Sequence, residues 1–312
     1  MTGIEPYFPS FANEPAPIYQ LELPAVPRAP LSRPVNVSSI PQLSPFRYPG
    51  GKTWLIPTIR EWLQDQKPKR LFEPFGGGSI VSLTAAFEGL ADEVIFCELD
   101  KGVAAVWETV LSSEWEWLAD QILSFNVTEE NVRAMLNRTP RTNKQLAFQT
   151  ILRNRVQRGG IMAPGAGLVK AGENGKGLLS RWYPTTLANR LKAIHGQKNK
   201  LTFLSGNAFQ HWSKVANSSD VAIYVDPPYV KASKRLYSHW EVPHREIFRL
   251  SRDLKARALL SYDNTPEVVA WAKEFGFSTR PISMKNAHHA TMNELLIGQS
   301  LDWLDDQMKF AA

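Results

Sequence analysis

The chain has almost no cysteine, since Cys97 is the single one among 312 residues. An internal disulfide and a metal cage built from thiolates are therefore excluded, and a reducing compartment such as the cytoplasm is expected. The six histidines are scattered apart from the adjacent pair His288-His289. Adjacent positions cannot form the i,i+4 spacing of a helical metal pair, so we expect no metal centre.

Long apolar runs are also missing. No stretch of about 18 apolar residues, the length of a membrane-spanning helix, occurs in the sequence. The N-terminus lacks the basic start and the short apolar block of a signal peptide. Hydrophobic residues still make up 43% of the chain, which is enough for a sizeable core. We expect one large globular domain, or a domain with an insertion, and no association with a membrane.

Acidic residues are scarce in one segment. Residues 131–200 contain fourteen Lys and Arg and a single acid, Glu173, for a local net charge of +13. The whole chain carries +6, so the remainder carries −7. A concentrated positive charge favours contact with the phosphates of nucleic acid, and a solvated basic face is the alternative.

Proline divides the chain into a tail and a body. Residues 1–45 contain ten of the 22 prolines, a density that blocks helices and interior strands. This tail is expected to be extended and largely unpacked, or draped over a surface.

Downstream of residue 46, short apolar segments alternate with helical patterns. The predicted strands are residues 70–73, 93–97, 201–204, 221–225, 258–261, 279–283 and 294–297. The predicted helices are residues 53–65, 80–88, 103–123, 144–155, 181–194, 243–255 and 266–275. The order indicates an α/β sheet of the nucleotide-binding type, interrupted by a basic, mostly helical insertion.

The strongest functional signal lies at the end of the predicted strand 221–225. Asp226 follows the apolar run directly, Pro227 and Pro228 impose a rigid extended exit, and Tyr229 comes next. Ligands bind at this carboxyl edge of open α/β sheets. A carboxylate beside an unpaired carbonyl suits an amino group with two N–H donors, and the ring offers a stacking face for a planar base. An ordinary Pro-Pro turn is the alternative.

Two further turns accompany this segment. The glycine turn Pro74–Ser79 follows the strand 70–73, and Glu98 and Asp100 end the next strand. Glycine allows close approach of a ligand, and a carboxylate about 20 residues later can accept from both hydroxyls of a ribose. The turn Tyr48–Lys52 lacks the spacing of a phosphate loop, so Lys52 is better suited to a carboxylate.

As a set, Tyr48–Lys52, Glu73–Ser79, Glu98 and Asp226–Tyr229 resemble the Dam-like class of DNA adenine-N6 methyltransferases. Asn293–Ile297 resembles the closing strand of that family, and the resemblance covers about residues 44–300. It implies a Rossmann-like methyltransferase fold: a mixed, mostly parallel sheet with helices on both faces and an inserted, mostly helical DNA-recognition domain. The expected parts are the Pro-rich tail (1–45), the catalytic domain (46–125 and 200–300), the target-recognition insertion (126–199) and a C-terminal tail (301–312).

The family implies S-adenosylmethionine as the methyl donor and adenine in double-stranded DNA as the acceptor. The residues expected to line the donor's pocket are Tyr48, Lys52, Phe75, Gly76, Gly77, Gly78, Glu98, Asn207 and Asp226. The expected catalytic segment is Asp226, Pro227, Pro228 and Tyr229. The turn departs from the family pattern, because Ser79 follows Gly78 where a glycine is usual.

The implied mechanism flips the adenine out of the helix, stacks it on Tyr229 and holds its amino group with Asp226 and the Pro227 carbonyl. No covalent enzyme intermediate and no metal are required. The expected DNA contacts are Arg153, Arg155, Arg158, Lys231, Lys234 and Arg235. The loop Gly159–Gly167 lacks the sequence pattern of the enzymes that recognise GATC, so no recognition sequence is predicted. A cognate restriction or defence system is left open as a partner.

Two other functions remain open from the residues alone. The same acceptor pair could take the amino group of cytosine, or of adenine in RNA. A catalytically silent relative that only binds DNA is the third hypothesis, although the intact segment Asp226–Tyr229 argues against it.

Overall fold

The computed structural model describes residues 39–47, 50–162, 166–172, 175–229, 241–285 and 291–304. Its strands are β1 (Arg70–Glu73), β2 (Glu93–Glu98), β3 (Leu201–Ser205), β4 (Val221–Val225), β5 (Arg257–Asp263), β6 (Ser278–Lys285) and β7 (Thr291–Gly298). Its helices are α1 (Ile56–Gln66), α2 (Ile80–Glu88), α3 (Lys101–Leu111), α4 (Trp115–Ser124), α5 (Glu129–Asn137), α6 (Asn143–Val156), α7 (Pro184–Gly196), α8 (Phe209–Ala216), α9 (His244–Asp253) and α10 (Pro266–Glu274).

The strands form one sheet in the order β3-β2-β1-β4-β5-β7-β6. Strands β3, β2, β1, β4 and β5 are parallel to one another, and β7 runs antiparallel between β5 and β6. The strand order reverses between β1 and β4, which opens a crevice beyond their carboxyl ends. The mixed, mostly parallel sheet of the predicted Rossmann-like fold is confirmed, and so is the closing pair.

Alternating side chains of the sheet serve two separate apolar clusters. In β1, Leu71 packs into one cluster and Phe72 into the other, as the period of two in a strand requires. The first cluster contains residues of α1, α2 and α3, and the second contains residues of α8, α9 and α10. Helices therefore cover both faces of the sheet, as predicted.

The inserted segment shares its core with one face of the sheet. Phe148 and Ile151 of α6 and Leu191 of α7 are buried in the same cluster as Leu71 of β1. Helices α3 and α4, which precede the insertion, pack directly against α6 and α7. The division into a catalytic domain and an insertion stays a prediction, and the described helices of both parts share one apolar core.

The long helix predicted over 103–123 is broken in the structure. Helix α3 ends at Leu111, and Ser112 has an extended backbone with ψ −179°. The Ser112 hydroxyl donates to the Thr109 carbonyl at 2.9 Å and accepts from the Glu114 amide at 3.1 Å. These local bonds compete with the helical pattern and start α4 in a new direction.

Both predicted tails reach further into the core than expected. Ile40, Leu43 and Phe46 are buried, so residues 39–47, here called the N-terminal strap, are packed. Leu301 and Leu304 are buried as well. Residues 1–38 and 305–312 lie outside the described ranges. Within those ranges, every helix is too short or too polar to cross a lipid bilayer.

Candidate active site

The carboxyl ends of β1, β2 and β4 meet at one edge of the sheet, where a cavity of about 1120 Å³ opens. Its wall includes Gly76, Gly77 and Gly78 from the turn after β1, Glu98 from the end of β2, and Asp226 from the end of β4. The sequence predicted this convergence, because parallel strands present their carboxyl ends at the same edge.

Asp226 is held through one of its two oxygens. The Lys52 ammonium lies 2.8 Å from Oδ1, and the Ser261 hydroxyl donates to the same Oδ1 at 3.1 Å. No described residue donates to Oδ2, and the Asp226 side chain is 21% exposed on the cavity wall. Because Oδ1 is engaged, Oδ2 is the oxygen available to accept an N–H from a ligand.

In the described part of the site, Lys52 provides the single ammonium group near several buried carboxyl groups. It is 3% exposed, its Nζ lies 3.8 Å from Glu294 Oε2, and it donates to the Gly50 carbonyl at 2.9 Å. Burial raises the pKa of Asp226 and of Glu294 above the usual range, and Lys52 opposes both shifts. Burial also raises the pKa of Glu73 to about 8, so this carboxyl group is protonated at neutral pH.

The glycine turn after β1 is tightly built. A Cβ on Gly76 would lie 3.0 Å from the Cys97 carbonyl oxygen, and the Gly76 amide donates to that oxygen at 2.7 Å. Ser79 adopts the left-handed conformation with φ 47°, which glycine would adopt freely. The serine at this position therefore places backbone strain on Ser79.

Glu98 ends β2 with both oxygens engaged by the backbone. Oε2 accepts from the Gly77 amide and Oε1 accepts from the Asp100 amide, each at 2.8 Å. Each oxygen keeps a lone pair for one more donor, as a ribose diol would need. Burial raises the pKa of Glu98 to about 7, so donors from a ligand would favour its ionised form.

An apolar wall completes the cavity, and most of it was not predicted. Leu99 is 45% exposed and lines the cavity beside Phe209. Phe209 stacks on the buried Trp212 with ring centroids 5.7 Å apart, and Phe75 packs edge-on against both rings. An exposed leucine directly after the predicted ribose-binding acid was the available sequence signal for Leu99.

The remaining predicted residues of the catalytic and donor sites lie as follows. Pro228 and Asn207 line the cavity, whereas Tyr229 does not. The Lys52 Nζ lies 4.8 Å from the centre of the Tyr229 ring, so one face of that ring is covered. The Asn207 side chain accepts from the amide of Phe209, the first residue of α8, at 3.0 Å. Pro227 is buried, and Tyr48 lies outside the described residues.

The residues predicted to contact DNA lie in different parts of the structure. Arg153 and Arg158 line a second cavity of about 1450 Å³, which shares the lining residues Asp100 and Met162 with the first. Arg155 is 4% exposed, donates to the Pro45 carbonyl of the strap, and lines the first cavity rather than the second. Its place on α6 faces the core layer. A contact between Arg155 and DNA stays a prediction. The predicted contacts Lys231, Lys234 and Arg235 lie outside the described residues.

The described side chains form no group of three or more His, Cys, Asp or Glu that could hold a metal ion. Cys97 is buried, its Sγ lies 3.2 Å from the Gly206 carbonyl oxygen, and burial raises the pKa of its thiol to about 12. A neutral thiol is a poor nucleophile, so Cys97 acts here as a small buried side chain.

Comparison with known families matches part of the chain. Residues 48–160 match the D12 class N6 adenine-specific DNA methyltransferase family. The matched segment contains Lys52, the glycine turn and Glu98, and it ends at Gly160 of the insertion. No curated protein matches the sequence.

Several solved structures overlap the chain in part. A protein of Pyrococcus horikoshii assigned as an RNA methyltransferase is 13% identical, with 86% of this chain and 90% of that chain covered and a TM-score of 0.37. The M1A22 tRNA methyltransferase of B. subtilis is 10% identical, with coverages of 80% and 66% and a TM-score of 0.36. The precorrin-6y C5,15-methyltransferase of Geobacter metallireducens is 8% identical, with coverages of 77% and 85% and a TM-score of 0.33. Overlaps this weak do not bear on the substrate.

The cavity fits the cofactor that the family match implies. Glu98 keeps acceptor capacity for two hydroxyls, Leu99 and Phe209 offer an apolar face for a purine, and the Asp226 carboxyl group lies on the same wall. The chain is accordingly a methyltransferase with S-adenosylmethionine as its cofactor, and its resemblance to the Dam-like class is confirmed by the D12 match over residues 48–160.

Proposed function

We propose that this protein methylates the exocyclic N6 amino group of adenine in double-stranded DNA, at a specific site. The observation that carries the proposal is the arrangement of Asp226. Lys52 and Ser261 hold its Oδ1, and Oδ2 has no donor among the described residues. This oxygen shares a cavity with the glycine turn and Glu98, which is the expected donor pocket.

Asp226 would accept one N–H of the adenine amino group through Oδ2, and the Pro227 carbonyl would accept the other. These bonds draw the nitrogen lone pair out of conjugation with the ring and orient it. S-adenosylmethionine, when bound, supplies the methyl group. Lys52 and Ser261 keep the carboxylate ionised and correctly turned, since both favour the charged form.

The target base must leave the double helix to reach Asp226, because the carboxyl group lies on a cavity wall. Extruding a base costs a few kcal/mol. Stacking on an aromatic ring returns roughly 1–3 kcal/mol per base. We assign this stacking to the face of Tyr229 opposite Lys52, because the ammonium covers the other face.

The second cavity supports DNA as the acceptor. Its basic lining residues are Lys101, Arg133, Arg153, Arg158, Lys170 and Lys176. It shares the lining residues Met162 and Asp100 with the catalytic cavity. A duplex following this basic groove would bring its bases to the edge of the catalytic cavity. We propose Arg153 and Arg158 as contacts to phosphates or guanine edges.

The proposal is tested by long-read sequencing of DNA from cells that express the chain, scored for methylated adenines and their sequence context. Methylation at one recurring context is expected, and Asp226→Ala should abolish it. Methylated cytosine instead of adenine would redirect the proposal to that base. DNA without any modification, despite binding by the purified protein, would favour the silent DNA-binding relative.

A further inference from the structure

Four arginines that line the catalytic cavity are close enough for their charges to interact. They are Arg47 of the strap, Arg155 of α6, Arg181 just before α7, and Arg190 of α7, here called the arginine cluster. The strap, α6 and α7 are distant in sequence and meet only here. The cluster therefore results from the tertiary fold.

Three members of the cluster lack a carboxylate counter-charge in the described part of the chain. Arg47, Arg155 and Arg190 form no ion pair with a carboxylate of the described chain. Arg190 donates to the Ser44 carbonyl at 3.2 Å, and Arg155 donates to the Pro45 carbonyl. Arg155 is 4% exposed, yet its Nε has no acceptor among the described residues. Buried charge that lacks a counter-charge is costly.

The arginines also lower one another's pKa values, because like charges repel. Burial lowers the pKa of Arg155 to about 9, and the charges of Arg190, Arg47 and Arg181 lower it further in the same direction. Burial likewise lowers the pKa of Arg47 and of Arg190. A bound anion would relieve both the desolvation and the repulsion.

The strap is fixed so that Arg47 stays in the cluster. The fully buried Asn154 accepts from the Arg47 amide at 2.8 Å and donates to the Arg47 carbonyl at 2.9 Å and the Gly160 carbonyl at 3.0 Å. A Cβ on Gly160 would overlap the Arg47 carbonyl oxygen, so glycine is required for this approach. The positive wall is thus preorganised for a ligand.

We propose that the arginine cluster binds a phosphodiester group of the nucleic-acid strand that carries the target base. The inference rests on the proposed function, since that strand must enter the same cavity to place its base at Asp226. Guanidinium groups suit the oxygens of a phosphate, to which each can donate two parallel hydrogen bonds. Arg47, Arg155 and Arg190 would set how far the nucleotide enters.

The test compares Arg190→Gln and Arg47→Gln with Arg70→Gln as a matched control. Arg70 begins β1 at the opposite edge of the sheet and pairs with Glu93 on the surface. Binding of a fluorescent 20-base-pair duplex is measured over a range of NaCl concentrations. For each cluster variant, we expect the slope of log Kd against log [NaCl] to shrink by about 0.9, the value for one lost phosphate contact. Arg70→Gln should keep the wild-type slope.

A second arm places single neutral methylphosphonate linkages along the duplex. One position should weaken binding by wild-type protein about 10-fold and have no further effect on Arg190→Gln. Wild-type slopes and the same methylphosphonate profile in both cluster variants would overturn the site while leaving DNA methylation intact. If the wild-type protein neither binds nor methylates DNA, the proposed function fails, and the site fails with it.

Two other anions give different results. If the cluster holds the carboxylate of the cofactor, Arg190→Gln weakens binding of S-adenosylmethionine, measured by calorimetry, and leaves the salt slope unchanged. If it holds a free anion, inorganic phosphate raises the melting temperature of the wild-type protein more than that of Arg190→Gln, again without a change in slope. Either result contradicts a phosphodiester site.

Discussion

The Lys52 ammonium lies 2.8 Å from Oδ1 of Asp226 at the carboxyl edge of the sheet. This contact favours the ionised form of Asp226 and fixes the orientation of its side chain. Lys52 comes from the turn before α1, and Asp226 comes from the end of β4. The pair is nearly enclosed, with side chains 3% and 21% exposed. Lys52 therefore acts on the proposed catalytic carboxyl group, and the free Oδ2 remains for the substrate.

Replacing Lys52 with glutamine is expected to move the acidic limb of the pH–activity profile to higher pH. Burial already raises the pKa of Asp226, and Lys52 is the largest opposing influence. Without the ammonium, that pKa rises further, so a higher pH is needed to ionise the carboxyl group. The measurement is labelled-methyl transfer from pH 5 to pH 9. Lys69→Gln, on the exposed opposite edge, should keep the wild-type profile, and an unshifted limb for Lys52→Gln would contradict the pairing.

Glu73 should make the protein less stable as the pH rises. Its pKa is about 8 in the folded protein and about 4.3 in an unfolded chain. Between these values the folded state binds the extra proton, so the free energy of unfolding falls with rising pH, by up to about 1.4 kcal/mol per pH unit. Urea denaturation of Glu73→Gln at pH 5.5, 7 and 8.5 should show a shallower decline. The exposed Glu116→Gln is the control, and an equal decline in all three proteins would argue against a protonated Glu73.

Changing Ser79 to glycine should make the protein more stable. Its φ of 47° costs a residue with a side chain roughly 1–2 kcal/mol, while glycine adds some entropy to the unfolded chain. We expect a net gain of about 1 kcal/mol in the free energy of unfolding. Ser79→Val should lose stability, because a β-branched residue tolerates this conformation least. A loss of stability in Ser79→Gly would show that the hydroxyl group matters more than the strain.

Leu99 is expected to contribute to binding of the cofactor rather than to stability. It is 45% exposed and lies on the cavity wall, so a ligand would bury a side chain that folding leaves open. Leu99→Ala should weaken S-adenosylmethionine binding about 10-fold, measured by calorimetry, with little change in melting temperature. Leu123→Ala is the matched control, since Leu123 is 50% exposed on α4. Equal affinities of the two variants would remove Leu99 from the pocket.

The sheet and its functional edge were predictable because their signals are local. Strand β4 has the predicted bounds, 221–225, since an apolar run ending at Asp226 and two prolines leaves little freedom. The two turns and Glu98 follow from strand ends, which parallel pairing brings together. The family match over 48–160 overlaps the same motifs.

Other parts of the structure depend on contacts that sequence spacing does not reveal. Lys52 was predicted to line the donor's pocket, and its pairing with Asp226 required the folded chain. Arg155 resembled its neighbours Arg153 and Arg158, yet nearly every residue from Ala147 to Val156 is buried. A helix enclosed on several sides lacks the polar face that would mark its exposed residues. The break at Ser112 is similarly hidden, because apolar residues continue on both sides.

The central claim is that Asp226 presents the amino group of adenine for methylation. Purified protein is incubated with unmethylated double-stranded DNA and S-adenosylmethionine labelled in its methyl group, and the hydrolysed DNA is analysed by base. The account predicts label in N6-methyladenine for the wild-type protein, and none for Asp226→Ala protein that circular dichroism shows to be folded. Label only in cytosine or only in an RNA substrate, or undiminished label with Asp226→Ala, would contradict it.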